Sequence, residues 1–112
     1  MYSNELLKGT LTAIILKLLS DNKKMYGYEI TTQVKTITGD RIKLTEGSLY
    51  PTLHRLEAEG ILKTEVQYTG KRMRKFYFIP KESKTAAQAK IRELQGFIET
   101  LNMIFNTKIS MT

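Results

Sequence analysis

The sequence contains no cysteine and a single histidine, His54, among its 112 residues. Without cysteine there can be no disulfide and no thiolate metal site, a composition that suits a reducing compartment. One histidine makes a zinc site built from protein ligands alone unfavourable, and the carboxylates lack metal-ligand spacing. No nucleophile, base and orienting group form a recognisable catalytic set. We therefore expect neither an enzyme nor a bound cofactor or metal.

Long hydrophobic runs are also missing. The apolar run 13–16 is followed by Lys17 and is much shorter than the roughly 20 residues that cross a bilayer. The start of the chain lacks the basic segment and small-residue cleavage site of a secretory signal. We expect a soluble, cytoplasmic protein with no membrane partner.

Acidic residues are in the minority. Eleven Asp and Glu stand against eighteen Lys and Arg, which gives a formal net charge of +7. A basic surplus of this size favours a polyanionic partner, either nucleic acid or an anionic membrane surface. The chain length fits one compact domain with one appended element.

Hydrophobic spacing predicts three helices in the first 60 residues. Apolar residues recur at steps of three and four over residues 4–20, although Gly9 should weaken the start of that helix. The segment 21–27 reads as a turn, and a second helix follows over 26–39. A third helix over 45–60 has Thr45 as its expected N-cap.

The next segment predicts a β-hairpin and then one long helix. Two strand-like runs, 62–68 and 74–79, flank a turn at 69–71, and a proline follows the second run. The long helix is expected from about Ser83 to Asn106.

The order helix, helix, helix, hairpin, long helix is that of a winged helix-turn-helix. We expect a mostly α fold (α+β) with a two-stranded wing. A DNA-binding domain would span residues 1–80, and a dimerisation helix with its tail would span 81–112.

The third helix has an outer face of unusually small residues, including Gly47, Ser48, Pro51 and Ala58. A major groove about 12 Å wide only just admits a helix, so small side chains allow a close approach to the bases. Double-stranded DNA is therefore the expected partner. The residues predicted to contact it from this helix are Thr45, Gly47, Ser48, Tyr50, His54 and Arg55.

The predicted hairpin tip carries the cations Lys71, Arg72, Arg74 and Lys75. Such a wing can follow the DNA backbone or enter the minor groove, whereas the alternative is a simple solvated turn. Tyr26, at the start of the second helix, is a candidate backbone contact. We expect its neighbour Tyr28 to pack against the wing or the core.

The last helix carries a repeating apolar seam. Its members, at steps of 3, 4, 3 and 4, are Ile91, Leu94, Ile98, Leu101 and Phe105. This spacing is typical of a helix–helix contact between chains, so we expect a homodimer. The alternative is that the seam packs against its own domain.

Four blocks together give the sequence a resemblance to the PadR family of bacterial transcriptional regulators. They are LLKGTL at 6–11, YGYEI at 26–30, LTEGSLYPTLHRLEAEGIL at 44–62 and GKRMRKFYFI at 70–79. The resemblance implies a homodimeric winged-helix repressor whose third helix and wing bind a palindromic operator. It also implies that the C-terminal helix builds the dimer.

The single C-terminal helix is similar to the compact branch of this family. Some members of that branch bind flat aromatic drugs against a tryptophan of the last helix, but this chain has no tryptophan and its matching position is Leu94. Leu94, Phe97 and Ile98 remain the candidate pocket for an aromatic or phenolic small molecule.

Three functions are thus open from the sequence. The first is a sequence-specific repressor that binds an inverted repeat as a dimer. The second is a small-molecule sensor whose working site is a cavity at the dimer interface, and the third is a winged helix that binds only another protein.

Overall fold

The computed structural model describes residues 2–107 as a small mixed domain with one projecting helix. Its helices and strands are α1 (Asn4–Lys8), α2 (Leu11–Asp21), β1 (Met25–Tyr26), α3 (Gly27–Ile37), α4 (Glu46–Ala58), β2 (Lys63–Thr69), β3 (Arg72–Phe78) and α5 (Lys84–Phe105). A short 3-10 helix, Lys81–Ser83, joins the sheet to α5. The mostly helical fold with a hairpin and a long last helix, predicted from the sequence, is confirmed.

The expected N-terminal helix is divided into α1 and α2. The break falls at Gly9 and Thr10, where the Thr10 hydroxyl donates to the carbonyl oxygen of Leu7 at 3.0 Å. Glycine has a low helix propensity, so the chain ends one helix there and starts another. Only α2 contributes buried residues.

Helix α4 begins as the sequence predicts. The hydroxyl oxygen of Thr45 accepts a hydrogen bond from the backbone N–H of Ser48 at 3.2 Å, which is the N-cap interaction. The helix continues through Pro51. Proline has no N–H, so the carbonyl of Gly47 loses its usual i+4 donor.

The wing is the antiparallel pair β2 and β3, whose register runs from Lys63 opposite Phe78 to Thr69 opposite Arg72. Only Gly70 and Lys71 lie in the turn, and Gly70 has φ +64. Glycine adopts this left-handed conformation at little steric cost. The strands therefore reach closer to the tip than the predicted runs 62–68 and 74–79.

A third strand, β1, lies in the segment that was predicted to be a turn. Met25 and Tyr26 pair with Tyr77 and Phe76, which gives the sheet order β1-β3-β2. A two-residue strand is too short to show the alternation by which strands are recognised. The pairing fixes the start of α3 against the wing.

The core lies where α2, α3 and α4 meet the sheet and the first turns of α5. Its fully buried side chains include those of Ile15, Ile30, Leu49, Leu53 and Tyr77. Leu49, Leu53 and Leu56 of α4 are all buried, because steps of four and three residues place them on one face of the helix.

The first half of α5 packs against its own domain. Ala87 and Ile91 are buried in the core, and the side-chain amide of Gln88 donates to the Ser20 hydroxyl at 3.0 Å. The assignment of Ile91 to a contact between chains is corrected by this placement, because an early position on α5 lies directly over α2. The later turns project away, and the molecule measures 66 × 31 × 21 Å.

Two general properties complete the fold. Within residues 2–107, no helix combines the length and hydropathy that crossing a bilayer requires. Residues 108–112 lie outside the described residues. They form the end of the segment 81–112 that was predicted to be a dimerisation helix with its tail.

Candidate nucleic-acid interface

The outward face of α4 is uncovered in the described chain. Thr45, Gly47, Ser48 and His54 are all exposed. A Cβ placed on Gly47 would meet nothing closer than the Thr45 hydroxyl oxygen, at 4.0 Å. The small-residue face predicted from the sequence is therefore open to a partner of suitable shape.

The hydroxyls at the start of α4 are engaged with each other. The hydroxyl oxygens of Thr45 and Ser48 are 3.0 Å apart, and the Ser48 hydroxyl can also donate to the Thr45 carbonyl at 3.1 Å. The N–H groups of Glu46 and Gly47 have no acceptor within the helix, as in any first turn. Such a helix start favours a phosphate.

Tyr50 faces the domain more than the solvent. It is half-buried, and its ring lies against Gly27 of α3. The His54 ring is 6.0 Å from the Tyr50 ring, centre to centre. Tyr50 therefore spaces α4 from α3, beside the exposed His54.

Arg55 points along the surface toward α2. Its guanidinium donates to the Thr12 hydroxyl at 2.7 Å and to the Glu59 carboxylate at 3.3 Å. Arg55 also borders a cavity of about 360 Å³ that reaches Leu94 and Phe97 of α5. A contact between Arg55 and a base would require the guanidinium to leave Thr12.

The four cations of the wing fall into two pairs. Lys71 and Arg72 are exposed at the turn. The guanidinium carbon of Arg74 lies 4.6 Å from the centre of the Tyr26 ring, and the Lys75 ammonium lies 3.4 Å from a carboxylate oxygen of Glu57. Among residues 2–107, Lys71 and Arg72 contact no aromatic ring or carboxylate, whereas Arg74 and Lys75 do.

An aromatic cluster surrounds the start of α3. Tyr26 meets the Phe76 ring edge-on with centres 5.3 Å apart and stacks on Tyr28 at 6.5 Å, while the Lys24 ammonium lies 5.3 Å from the Phe76 ring centre. Tyr28 is 69% exposed, so the expectation that it packs against the wing or core is wrong. Lys24 and Phe76 are not apparent from the sequence as neighbours of Tyr26, because only the β1–β3 pairing brings them together.

Burial and charge shift two pKa values beneath the wing. Burial raises the pKa of Tyr77 above its ordinary value. Burial opposes the charge on Lys75, but the interactions with Tyr77 and Glu57 outweigh it, and the pKa of Lys75 is raised. Lys75 is therefore a cation, and Tyr77 a neutral phenol, at neutral pH.

The outer half of α5 is apolar and largely exposed. Ile98 and Phe105 are 48% and 78% exposed, while Leu94 and Leu101 are half-buried. An apolar groove of about 340 Å³ lies between α2, α3 and α5, and Leu94 and Ile98 border it. Phe97 borders the other cavity, the one that Arg55 reaches, so the three predicted pocket residues do not share one cavity.

Three core helices, an exposed small-residue face on the third and a basic hairpin beside it define a winged helix-turn-helix DNA-binding protein. A family model described as the Transcriptional regulator PadR-like family matches residues 15–89. The chain belongs to this family, whose members are transcriptional regulators and not enzymes. The resemblance seen in the sequence is thereby confirmed.

Individual relatives agree over nearly the whole chain. An uncharacterised protein of Lysinibacillus sphaericus is 30% identical over 106 residues, covering 92% of this chain and 94% of its own. The structure of a transcriptional regulator from Clostridium thermocellum is 28% identical with a TM-score of 0.75, over 91% of this chain and 96% of that one. A PadR family transcription regulator from Clostridium difficile is also 28% identical, with a TM-score of 0.69, over 88% and 99% of the two chains.

Proposed function

We propose that the protein is a transcriptional repressor that binds an inverted-repeat operator as a homodimer. The observations that carry the proposal are the uncovered small-residue face of α4 and the exposed cations Lys71 and Arg72 of the adjoining wing. The face fits a major groove, and the cations fit the flanking phosphates or minor groove. Occupying a promoter in this way would block transcription.

Each element has a distinct part in the proposed complex. The start of α4, with Gly47 and Ser48, approaches the bases and offers its N–H groups to a phosphate. His54 lies on the same exposed face. Arg74, held over the Tyr26 ring, extends the basic surface along the backbone. Arg55 reads a base only if DNA displaces its bond to Thr12.

The proposed dimer forms through the outer turns of α5. Leu101 and Phe105 of one protomer would meet the same helix of the partner, and the apolar groove bordered by Ile98 would be covered by it. Two-fold symmetry then places two α4 helices roughly 34–36 Å apart, or one turn of DNA. This geometry requires an operator with two inverted half-sites.

The test is binding to the DNA upstream of the protein's own gene, measured against a scrambled duplex at several salt concentrations. Replacing Arg72 with Met should reduce the slope of log affinity against log salt by about 0.9, the value for one phosphate contact. Lys84→Met, an exposed cation at the start of α5, is the control and should leave the slope unchanged. Equal affinity for operator and scrambled DNA at physiological salt would reject the repressor proposal.

Charge reversal in the wing distinguishes a module that only binds proteins. Reversing Arg72 and Arg74 to glutamate should abolish DNA binding and leave the dimer intact. If the double reversal leaves DNA binding as it was and removes a protein partner instead, the protein-interaction function replaces the proposed one.

A ligand response is the second candidate function, and one observation favours it. The cavity of about 360 Å³ touches α4 through Arg55 and α5 through Leu94 and Phe97. An aromatic or phenolic ligand there could shift α4, which would contact DNA, and α5, which would form the dimer, together. Thermal-shift screening with such compounds, followed by operator release, would test it. Phe97→Ala should remove any response, and a screen without a stabilising compound would contradict this candidate.

A further inference from the structure

The carboxylate of Glu57 lies where α4 meets the wing. One oxygen accepts a hydrogen bond from the Thr64 hydroxyl at 3.1 Å. The other oxygen accepts from the Lys75 ammonium at 3.4 Å. Thr64 belongs to β2 and Lys75 to β3, so one side chain of α4 holds both strands of the hairpin.

Strand register explains why these two partners point to the same side chain. Thr64 is paired with Tyr77 and Lys75 with Val66. Alternate residues of a strand share a face, so Thr64 and Lys75 lie on the face of the sheet that carries Tyr77. Tyr77 is only 1% exposed, which identifies this face as the one packed toward the helices.

Within residues 2–107, the Glu57 carboxylate is the one side chain of α4 that forms hydrogen bonds to the wing. Among residues 2–107, every side-chain hydrogen bond between α4 and the two wing strands ends at Glu57. On its other side the hairpin is held by the pairing of β1 with β3 and by the Lys24–Glu65 ion pair at 2.8 Å. Further toward the tip it projects beyond the core, with Val66 and Tyr68 exposed. A hairpin attached at its base can pivot, and an ion pair midway along its strands, at Lys75, limits the pivot.

Lys75 differs from the cations of the tip. Its ammonium is bound to Glu57 and lies 5.4 Å from the centre of the Tyr77 ring, whereas Lys71 and Arg72 are exposed. A cation already neutralised by a carboxylate releases few counterions when DNA binds. Its charge is committed to the protein.

We propose that Glu57 is a positioning residue that sets the angle of the wing relative to α4, and that Lys75 is its counterion and does not neutralise a phosphate. The consequence for DNA rests on the proposed function, since the angle decides whether α4 and the wing tip reach the groove and the backbone together. The consequence for the free protein does not depend on DNA.

A double-mutant cycle in operator binding tests the first consequence. Glu57→Gln and Lys75→Met should each weaken binding by about tenfold, equivalent to one charged hydrogen bond. The double variant should lose about the same tenfold, because either change breaks the same link. Lys75→Met and the double variant should keep the wild-type salt slope, whereas Arg72→Met lowers it by about 0.9. A Lys75→Met slope reduced like that of Arg72→Met, or losses that multiply to about a hundredfold, would overturn the proposal.

Residual dipolar couplings of the free protein test the second consequence. Couplings of the hairpin amides, residues 63–78, report the orientation of the wing relative to α4. Glu57→Gln and Thr64→Val should both reduce or redirect them, while couplings within α4 stay as they are. Glu59→Gln is the matched control, because Glu59 pairs with Arg55 of the same helix region and cannot orient the hairpin.

The two measurements separate failure of the inference from failure of the proposed function. If the wild-type protein binds no operator but the couplings change in the Glu57 and Thr64 variants, the repressor proposal falls and the positioning role stands. If the couplings of both variants match those of the wild type and of Glu59→Gln, the positioning role falls whatever the protein binds.

Discussion

The ring of Tyr50 on α4 packs directly against the Cα of Gly27 on α3. A Cβ added at residue 27 would lie 2.2 Å from the Tyr50 hydroxyl oxygen and 2.7 Å from the adjacent ring carbon. Gly27 is itself buried. Because residue 27 of α3 has no side chain, Tyr50 can lie against it and α4 can approach α3 closely.

Replacing Gly27 with Ala should destabilise the fold. The new methyl group would force Tyr50 out of its position, and overpacking of this kind typically costs about 1–3 kcal/mol. Chemical denaturation should show a lower free energy of unfolding. An unchanged value would mean that Tyr50 moves aside freely and does not space the two helices.

Replacing Gly47 with Ala should separate stability from DNA binding. The added Cβ meets no protein atom closer than 4.0 Å, and alanine in a helix is favoured over glycine by about 0.5–1 kcal/mol. The variant should be at least as stable as the wild type. Its operator affinity should fall by about tenfold, or 1.4 kcal/mol, because the methyl group holds α4 away from the groove. Unchanged affinity in filter or fluorescence binding would place Gly47 outside the contact.

Replacing Leu101 with Asp should convert the dimer to a monomer. Leu101 lies in the outer half of α5 among exposed apolar side chains, and a carboxylate buried there without a partner is costly. Sedimentation equilibrium measures the change directly. Asn102→Asp adds the same charge at an exposed polar neighbour and should leave the association constant as it is. A dimeric Leu101→Asp protein would locate the interface elsewhere.

Alkaline pH should destabilise the protein through Tyr77. Burial raises the pKa of this phenol above its ordinary value, which is about 10. Its contribution to stability is complete below about pH 10 and is lost as the pH rises toward the raised value, because only the unfolded state ionises in that window. The loss is at most about 1.4 kcal/mol per pH unit.

Denaturation curves at several pH values above 9 would measure this effect. Tyr77→Phe should lose less stability over that window than the wild type does. Tyr68→Phe is the control, since Tyr68 is 71% exposed and has no burial to relieve. Parallel curves for the wild type and Tyr77→Phe would contradict the assignment.

Local chemistry made much of the fold predictable. Thr45 caps α4 through a bond to a residue three positions away, and the leucines of α4 share one face by helical geometry alone. The strands of the wing contain residues that favour β structure, and a turn with Gly70 separates them. In each case the cause lies within a few residues of its effect, so one sequence is enough to read it.

Other features depended on contacts between distant segments. Strand β1 exists because Met25 and Tyr26 meet β3 some 50 positions later, and that pairing creates the cluster of Tyr26, Phe76 and Lys24. Helix α5 has a packed half and a projecting half because its first turns lie over α2 and its later turns extend beyond it. The periodicity of α5 cannot show which residues of the seam pack against their own domain, so it could not assign Ile91 to the core.

The sequence by itself determined the order of the main helices and the wing, the family and the small, outward face of α4, because spacing and side-chain size act locally. Only the tertiary structure decided which charges are available to a partner. Arg55 is bound to Thr12 on another helix, and Lys75 of the wing is bound to Glu57 of α4. Both links join residues that are far apart in the chain, and their energies depend on distances that only the folded protein sets.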